Sequence, residues 1–210
     1  MNTKLTVSAI FALSILLVSC GQRSRTPKVL VFSKTVGFYH QSIPTGIEAI
    51  QKLGEENGFE VDTTKDANQF NEENLKQYAA VIWLSTTGDV LNPTQEADFE
   101  RYIQSGGGYV GVHAAADTEY EWGWYNRLAG GYFLSHPRIQ EANIKVVDSN
   151  HPTTSFLPAE WKRTDEWYNY KSLYPEVNVL LELDESTYEP GQGAMGTHPH
   201  AWYHDFDGGR

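Results

Sequence analysis

The sequence contains a single cysteine, Cys20, among its 210 residues. One cysteine excludes an intramolecular disulfide and a metal cluster built on thiolates. Basic side chains are also scarce, with 16 Lys and Arg against 27 Asp and Glu, which gives a formal charge of −11. This balance argues against a nucleic-acid partner, because no basic stripe is available to neutralise phosphates. The hydrophobic share of 40% and the charged share of 20% are ordinary for a globular protein, and they exclude disorder and collagen-like repeats.

The N-terminal residues predict an export signal. Lys4 precedes an apolar run from Leu5 to Val18, which is too short to span a bilayer comfortably. The run ends in Leu17-Val-Ser-Cys20, which resembles the lipobox of bacterial lipoproteins. That resemblance implies cleavage before Cys20, lipidation of its sulfur and anchoring in the bacterial cell envelope, on the periplasmic side or at the surface. An ordinary signal peptide or a short anchor is the alternative. The expected segments are a signal peptide (1–19), a tether (20–27) and one domain (28–210).

From residue 28 the chain alternates apolar strands with amphipathic helices. Four short runs are predicted to be strands: Lys28–Ser33, Phe59–Thr63, Ala79–Leu84 and Tyr109–His113. Lys28–Ser33 is a continuous apolar run and Ala79–Leu84 a third buried strand, as expected in a parallel sheet that is covered on both faces. Ser42, Asn71 and Asn92 stand where the intervening helices should begin. The alternation predicts a doubly wound α/β fold of flavodoxin-like type with a mostly parallel sheet.

The pattern becomes irregular after about Asp117. Trp122 to Phe133 predicts a helix, whereas Asn143 to Asp148 and Val177 to Leu183 predict strands. The sequence stops at Asp207-Gly-Gly-Arg210, a turn signal that normally introduces a strand. We therefore expect the domain as given to lack a C-terminal strand.

The ends of the predicted strands carry the candidate site. In open α/β sheets the ligand crevice lies beyond the carboxyl ends of the strands. The first, third and fourth strands are neighbours in flavodoxin-like order, so His40, Thr86 and His113 should converge. Gly111-Val-His-Ala-Ala115 has the shape of a nucleophile elbow with His at the elbow position, and no G-x-S-x-G motif occurs. Acyl transfer through a Ser or Cys nucleophile is therefore disfavoured, while the imidazole of His113 can act as general base, proton donor or metal ligand.

An ordered set of motifs covers nearly all of the chain after the signal. The motifs are Val29–Phe32, Gly37–His40, Gly107–Ala114, Gly131–Pro137, His151-Pro152, Thr164–Tyr168, Leu183–Ser186, His200–His204 and Asp207–Arg210. In this order they resemble the ThuA-like (trehalose utilisation) family. The resemblance implies the class I glutamine-amidotransferase-like superfold and a role in carbohydrate catabolism, on trehalose, another glycoside or a keto-sugar. In this family the Gly-Gly-Arg turn leads into a strand ending in Gly-His, which this sequence does not contain.

Further polar residues join the candidate site through this family pattern. His136 matches the pattern, although a residue before proline can simply end a segment. Asp165 and Glu166 lie among aromatic residues, including Trp167 and Tyr168, and this setting indicates a sugar-facing wall rather than a solvated acidic surface. His198, His200 and His204 would share one face of an extended segment and could bind a divalent metal, but Pro199 argues against a regular strand there.

The leading interpretation is an exported, lipid-anchored enzyme that acts on a sugar or a modified sugar through His and carboxylate acid–base chemistry. The alternatives are a non-catalytic carbohydrate-binding module and a metal-dependent hydrolase. The predicted catalytic residues are His113, His40, His136, Asp165 and Glu166. The predicted substrate-binding residues are Thr86, Asp117, Trp167, Tyr168 and His200.

Overall fold

The computed structural model describes residues 26–210, and its centre is a four-stranded parallel sheet. The strand order is β2-β1-β3-β4, so β1, β3 and β4 are neighbours. This sheet and its helices confirm the predicted α/β fold. The signal peptide, the tether up to residue 25 and the lipidation site at Cys20 lie outside the described residues. The strand bounds are β1 Lys28–Phe32, β2 Glu60–Thr64, β3 Ala80–Leu84 and β4 Gly108–Val112.

Within residues 26–210 the chain forms four α-helices: α1 Ile43–Asn57, α2 Glu72–Leu75, α3 Pro93–Gln104 and α4 Gly123–Ala129. Asn92 begins α3 as predicted and forms a capping box with Gln95, and the Asn71 side chain accepts from the backbone N–H of Asn74 at the start of α2. Ser42 was expected to cap α1 in the same way, but its side chain makes no capping bond, because its backbone is already helical. No helix within residues 26–210 is long and apolar enough to cross a bilayer.

The main core forms on one face of the parallel sheet around Trp83 of β3, which is fully buried. Its ring contacts Phe32 at 5.3 Å between centroids, Phe99 at 5.5 Å and Tyr125 at 4.7 Å. Large aromatic side chains therefore join β1, β3, α3 and α4, and their burial supplies much of the hydrophobic stabilisation of this half of the protein.

The second half of the domain is more regular than the sequence predicts. It contains an antiparallel sheet of order β10-β9-β6-β7 and a separate β5-β8 pair. The bounds are β5 Tyr132–Ser135, β6 Gln140–Val146, β7 Glu160–Asp165, β8 Asn169–Lys171, β9 Asn178–Leu183 and β10 His198–Tyr203. The helix predicted over Trp122–Phe133 ends early, at Ala129, because Gly130 adopts a left-handed conformation with φ 89° and the chain then enters β5. Pro199 does not prevent β10, because β10 is an edge strand and its register shifts between Pro199 and Ala201.

β4 forms one edge of the parallel sheet. The backbone N–H of Tyr109 donates to the carbonyl of Arg210 at 2.6 Å, and the N–H of Arg210 lies 3.5 Å from the carbonyl of Gly107. These two contacts have the pattern of a parallel bridge beside Gly108. The expectation of a strand after Arg210 stays a prediction.

Candidate active site

Two histidines converge at the carboxyl end of the parallel sheet. His113 directly follows β4, and His40 lies in the loop that follows β1. Their Nε2 atoms are 3.2 Å apart, and the two rings meet edge to face with centroids separated by 4.7 Å. The sequence predicted this proximity from the position of the two residues at strand ends.

The loop after β1 reaches His113 because it is attached to the end of β3, the strand that separates β1 from β4. Thr35 forms a parallel bridge with Thr87, and the carbonyl of Thr87 accepts from the N–H of Val36 at 2.8 Å. The Thr87 hydroxyl donates to the carbonyl of Phe38 at 2.9 Å. These bonds hold the loop across the sheet edge and bring His40 to the end of β4.

Glu166 and His136 complete the cluster from the second half of the chain. Glu166 follows β7, and its Oε2 lies 3.2 Å from Nε2 of His113 and 3.8 Å from Nε2 of His40. Its other oxygen, Oε1, lies 3.3 Å from Nε2 of His136, which follows β5. The Nδ1 of His136 donates to the carbonyl of Pro137 at 2.8 Å, so its Nε2 is the atom presented to the carboxylate. We call His40, His113, His136 and Glu166 the histidine–carboxylate cluster.

The backbone of His113 is held in an uncommon conformation. Its φ is 51°, in the left-handed region that glycine and asparagine favour. His113 begins a short 3-10 helix that runs to Asp117, so the chain turns sharply as it leaves β4. Holding a non-glycine residue in this backbone conformation costs roughly 1–3 kcal/mol of folding free energy, and such strain is common at functional sites. The turn directs the imidazole of His113 toward His40 and Glu166.

Aromatic packing fixes the orientation of His113. The ring of Tyr168 lies 4.2 Å from the ring of His113 and 4.2 Å from that of Phe133, measured between centroids. His136 stacks on the same tyrosine at 6.1 Å. Tyr168 therefore packs against both His113 and His136 and helps to hold their rings in place.

Burial lowers the pKa of His113, and the neighbouring His40 lowers it further. The negative charges of Glu166 and Asp165 act in the opposite direction. The net result is a pKa below the ordinary value of 6.5, so His113 is neutral at neutral pH and can accept a proton.

Three of the predicted residues have other contacts. Thr86 is fully buried and its hydroxyl lies 3.0 Å from that of Thr118, so it is held inside the protein. Asp117 accepts a hydrogen bond of 2.6 Å from the hydroxyl of Tyr120. Asp165 is exposed, and its carboxylate accepts from the backbone N–H of Glu166 at 2.8 Å. Asp165 therefore orients the start of the Glu166 segment rather than entering the cluster itself.

The predicted sugar-facing wall of Trp167 and Tyr168 is not an exposed surface. Trp167 is 1% exposed, belongs to the core between β6 and β9, and donates from Nε1 to the carbonyl of Gln140. Tyr168 is 5% exposed and is covered by His113 and Phe133. Glu166 and Trp167 are adjacent in the chain, and their side chains point in opposite directions. The Glu166 carboxylate reaches the cluster, whereas the Trp167 ring packs in the core.

The three histidines of the C-terminal segment do not form a metal site. Both ring nitrogens of His198 are occupied, because Nδ1 lies 2.9 Å from a carboxylate oxygen of Glu185 and Nε2 donates to the carbonyl of Tyr168 at 2.7 Å. His204 donates from Nε2 to the carbonyl of Leu128. His200 is mainly buried with no hydrogen-bond partner on Nδ1, and burial lowers its pKa to about 4. Each ring is thus occupied or enclosed separately.

The contact between His198 and Tyr168 was not predicted from the sequence. Glu185 binds Nδ1 of His198, while Nε2 of that ring holds the backbone of Tyr168. Tyr168 in turn packs against His113. Glu185 and His198 therefore stabilise the cluster indirectly, through the backbone of Tyr168. Tyr168, Glu185 and His198 are far apart in the sequence, so no helix or strand periodicity could have indicated that they are in contact.

Two groups of side chains among the described residues bring possible metal-ligand atoms within 4.8 Å of one another. One is His40, His113 and Glu166, and the other is Asp89, Glu96 and Glu119. In the second group Glu119 already accepts from the backbone N–H groups of Val90 and Leu91, at 2.9 and 2.8 Å. The first group, with two imidazoles and one carboxylate, has the donor set of a transition-metal site.

A cavity of about 720 Å³ lies beside the cluster, between β4 and β10. It is lined by Tyr109 and Val110 of β4, by Trp202 of β10, and by His113 and His200. His40, His136 and Glu166 do not line it. The cavity runs along the outer edge of β4, and Arg210 also lines it.

Comparison with known proteins adds a family and a fold. The model of the ThuA family, described as trehalose utilisation, matches residues 28–210. A ThuA-like protein from Bacteroides uniformis ATCC 8492 has a similar crystal structure, with 28% identity, a TM-score of 0.72 and coverage of 85% of this chain and 78% of that one. A ThuA-like protein from Parabacteroides merdae ATCC 43184 is 21% identical, with a TM-score of 0.71 and coverage of 88% and 77%. No curated protein matches the sequence.

Proposed function

The chain belongs to the ThuA family, whose description is trehalose utilisation, and from this premise we propose that it is a carbohydrate-processing enzyme that reacts at the histidine–carboxylate cluster. The observation that carries the proposal is the convergence of His40, His113, His136 and Glu166 from four separate segments. Titratable groups that meet at the carboxyl edge of a parallel sheet are typical of catalytic sites in this kind of fold.

The proposed chemistry is proton transfer to and from a sugar. His113 is neutral near pH 7, so its imidazole can accept a proton from a hydroxyl group or from a carbon next to a carbonyl. The imidazolium that forms lies 3.2 Å from the Glu166 carboxylate, which stabilises its positive charge. The same group returns the proton later in the cycle. Substrates of this class are trehalose, other glycosides and their keto derivatives.

The test is turnover by the purified protein on trehalose, a methyl glucoside and their 3-keto derivatives. The variant His113→Asn keeps a polar side chain that tolerates the left-handed backbone but removes the titratable group. We expect it to lower turnover by about 100-fold or more. His151→Asn is the matched control, because His151 lies outside the cluster and contacts Thr153. Sugar binding without turnover by the wild-type protein would instead support a binding module.

A second candidate function, metal-dependent catalysis, is favoured by the spacing of three atoms. Nε2 of His113 lies 3.2 Å from Nε2 of His40 and 3.2 Å from Oε2 of Glu166, and the third separation is 3.8 Å. Ligands about 2.0–2.2 Å from a tetrahedral ion are roughly 3.3–3.6 Å apart, so one divalent ion fits between these atoms. His113 would then hold the ion rather than carry a proton.

Metal analysis separates the two mechanisms. The metal mechanism requires about one bound ion per chain, together with loss of the ion and of turnover in His40→Ala. The proton-transfer mechanism requires that wild-type turnover survive exhaustive treatment with a chelator. Both measurements use the same protein and the same sugars.

We also propose that the protein is exported and lipid-anchored in the bacterial cell envelope. The support is the sequence motif Leu17–Cys20 after a short apolar run, since these residues lie outside the described part of the chain. Stable attachment of this kind needs more than one acyl chain. Cys20→Ala should block processing or release the protein from membranes, which fractionation of cells measures. A correctly cleaved Cys20→Ala protein that remains in the membrane fraction would contradict the proposal.

A further inference from the structure

Phe38 is an exposed aromatic residue beside the cluster. Its side chain is 69% exposed, and its ring lies 4.9 Å from the ring of His40 at an interplanar angle of 80°. The aromatic residues that the sequence favoured for sugar contact, Trp167 and Tyr168, are buried. A single exposed apolar side chain is ordinary on a protein surface, but Phe38 is distinguished by its position beside His40 and by the hydrogen bonds that hold its backbone.

The backbone around Phe38 is fixed on both sides of the residue. The carbonyl of Thr87 accepts from the N–H groups of Val36 and Gly37, at 2.8 and 3.3 Å, and the Thr87 hydroxyl donates to the carbonyl of Phe38. A Cβ atom on Gly37 would lie 3.3 Å from the Thr87 hydroxyl oxygen, so the two segments are closely packed. The ring of Phe38 is therefore presented to solvent by a well-bonded loop, at a defined place next to His40.

We propose that Phe38 is the platform on which the sugar ring stacks, an inference that rests on the proposed function. The face of an aromatic ring carries partial negative charge and attracts the C–H groups of a pyranose ring, while the hydroxyl groups point sideways. Because the ring of His40 lies 4.9 Å from that of Phe38 and His40 contacts His113, a sugar stacked on Phe38 lies next to the cluster. The ligand class is an uncharged pyranose with an apolar C–H face, such as a glucoside or its 3-keto derivative. Phe38 then determines affinity and placement rather than proton transfer.

The test compares Phe38→Ala with Phe38→Tyr and with Phe156→Ala. Phe156 is 77% exposed in the loop between β6 and β7, so its truncation is a matched control for losing an exposed phenylalanine. Affinity is measured by calorimetry in the His113→Asn background, with trehalose, a methyl glucoside and their 3-keto derivatives as probes. Kinetic constants are measured with the cluster intact.

We expect Phe38→Ala to weaken binding roughly 3- to 10-fold and to raise KM more than it lowers kcat, in line with the usual strength of one aromatic contact. Phe38→Tyr should restore affinity, and Phe156→Ala should leave it unchanged. Equal affinities in Phe38→Ala and its parent would overturn this inference alone. The absence of sugar binding and turnover in every protein, including wild type, would overturn the proposed function and this inference together. Thermal unfolding of each variant checks that the fold is retained.

Discussion

Nε2 of His113 lies 3.2 Å from Nε2 of His40 on one side and 3.2 Å from Oε2 of Glu166 on the other. The two neighbours act on the pKa of His113 in opposite directions. Burial and the charge of His40 lower that pKa, whereas the carboxylate of Glu166 raises it. The protonation of His113 is thus set by a balance that single substitutions can shift either way.

The first prediction concerns the pH dependence of kcat/KM. If neutral His113 is the base, activity falls as pH drops through its pKa. His40→Asn removes the repelling charge and should move this acid limb to higher pH. Glu166→Gln removes the stabilising charge and should move the limb to lower pH. Pre-steady-state or initial-rate profiles between pH 4.5 and 8.5 measure both shifts, and movement in the same direction would contradict the assignment of His113.

The second prediction concerns stability in acid. Burial, followed by the charge of neighbouring His198, lowers the pKa of His200 to about 4, so the folded protein binds fewer protons there than the unfolded chain below pH 6.5. Stability should therefore fall as pH drops from 6.5 to 4, with a contribution of about 3 kcal/mol from this one group. His200→Phe removes the titrating group, so the free energy of unfolding should change less with pH in this variant than in wild type. Urea unfolding at pH 7, 5.5 and 4.5 measures the difference. Identical slopes in the two proteins would contradict the lowered pKa.

The third prediction concerns Glu119, whose pH dependence has the opposite sign. Burial, aided by Asp89, raises its pKa to about 7, although the hydrogen bonds from the backbone N–H groups of Leu91 and Val90 act in the opposite direction. The folded protein holds a proton that the unfolded chain releases, so this group's contribution to stability is present below about pH 4.5 and is lost as pH rises through 7.

Glu119→Gln keeps an oxygen acceptor for the two backbone N–H groups and cannot ionise. Its stability relative to wild type should therefore increase between pH 5 and pH 8, by up to about 3 kcal/mol. Urea unfolding at these two pH values makes the comparison. If the difference in free energy of unfolding between the two proteins is the same at both pH values, Glu119 has its ordinary pKa in the folded state.

The first half of the fold was predictable because β1 and β3 are short apolar runs that are largely buried. The rule that parallel strands end at one edge was then enough to bring His40 and His113 together. Glu166 required the family pattern, because it enters the site from β7, in a part of the sequence that lacked a clear strand signal.

The second half was harder to predict for identifiable reasons. β7 (Glu160–Asp165) is an edge strand with mostly exposed, charged side chains, so it lacks the alternation that marks a half-buried strand. β8 has three residues, which is too short for any period. The exposure of Phe38 depends on bonds to Thr87, 49 positions away, and no local pattern records such a contact.

The last prediction uses the left-handed backbone of His113, where φ is 51°. Alanine at such a position retains the steric penalty of a Cβ atom, whereas glycine does not. Both His113→Ala and His113→Gly remove the imidazole and the contact with Tyr168, so they differ chiefly in this backbone cost. We expect both variants to lose turnover by about 100-fold or more, and His113→Gly to be the more stable by about 1 kcal/mol. Glycine is ordinarily the less stable of the two in regular structure, so the order itself is diagnostic. Urea unfolding at pH 7 measures it, and an alanine variant at least as stable as the glycine variant would show that the site does not hold His113 in a strained conformation.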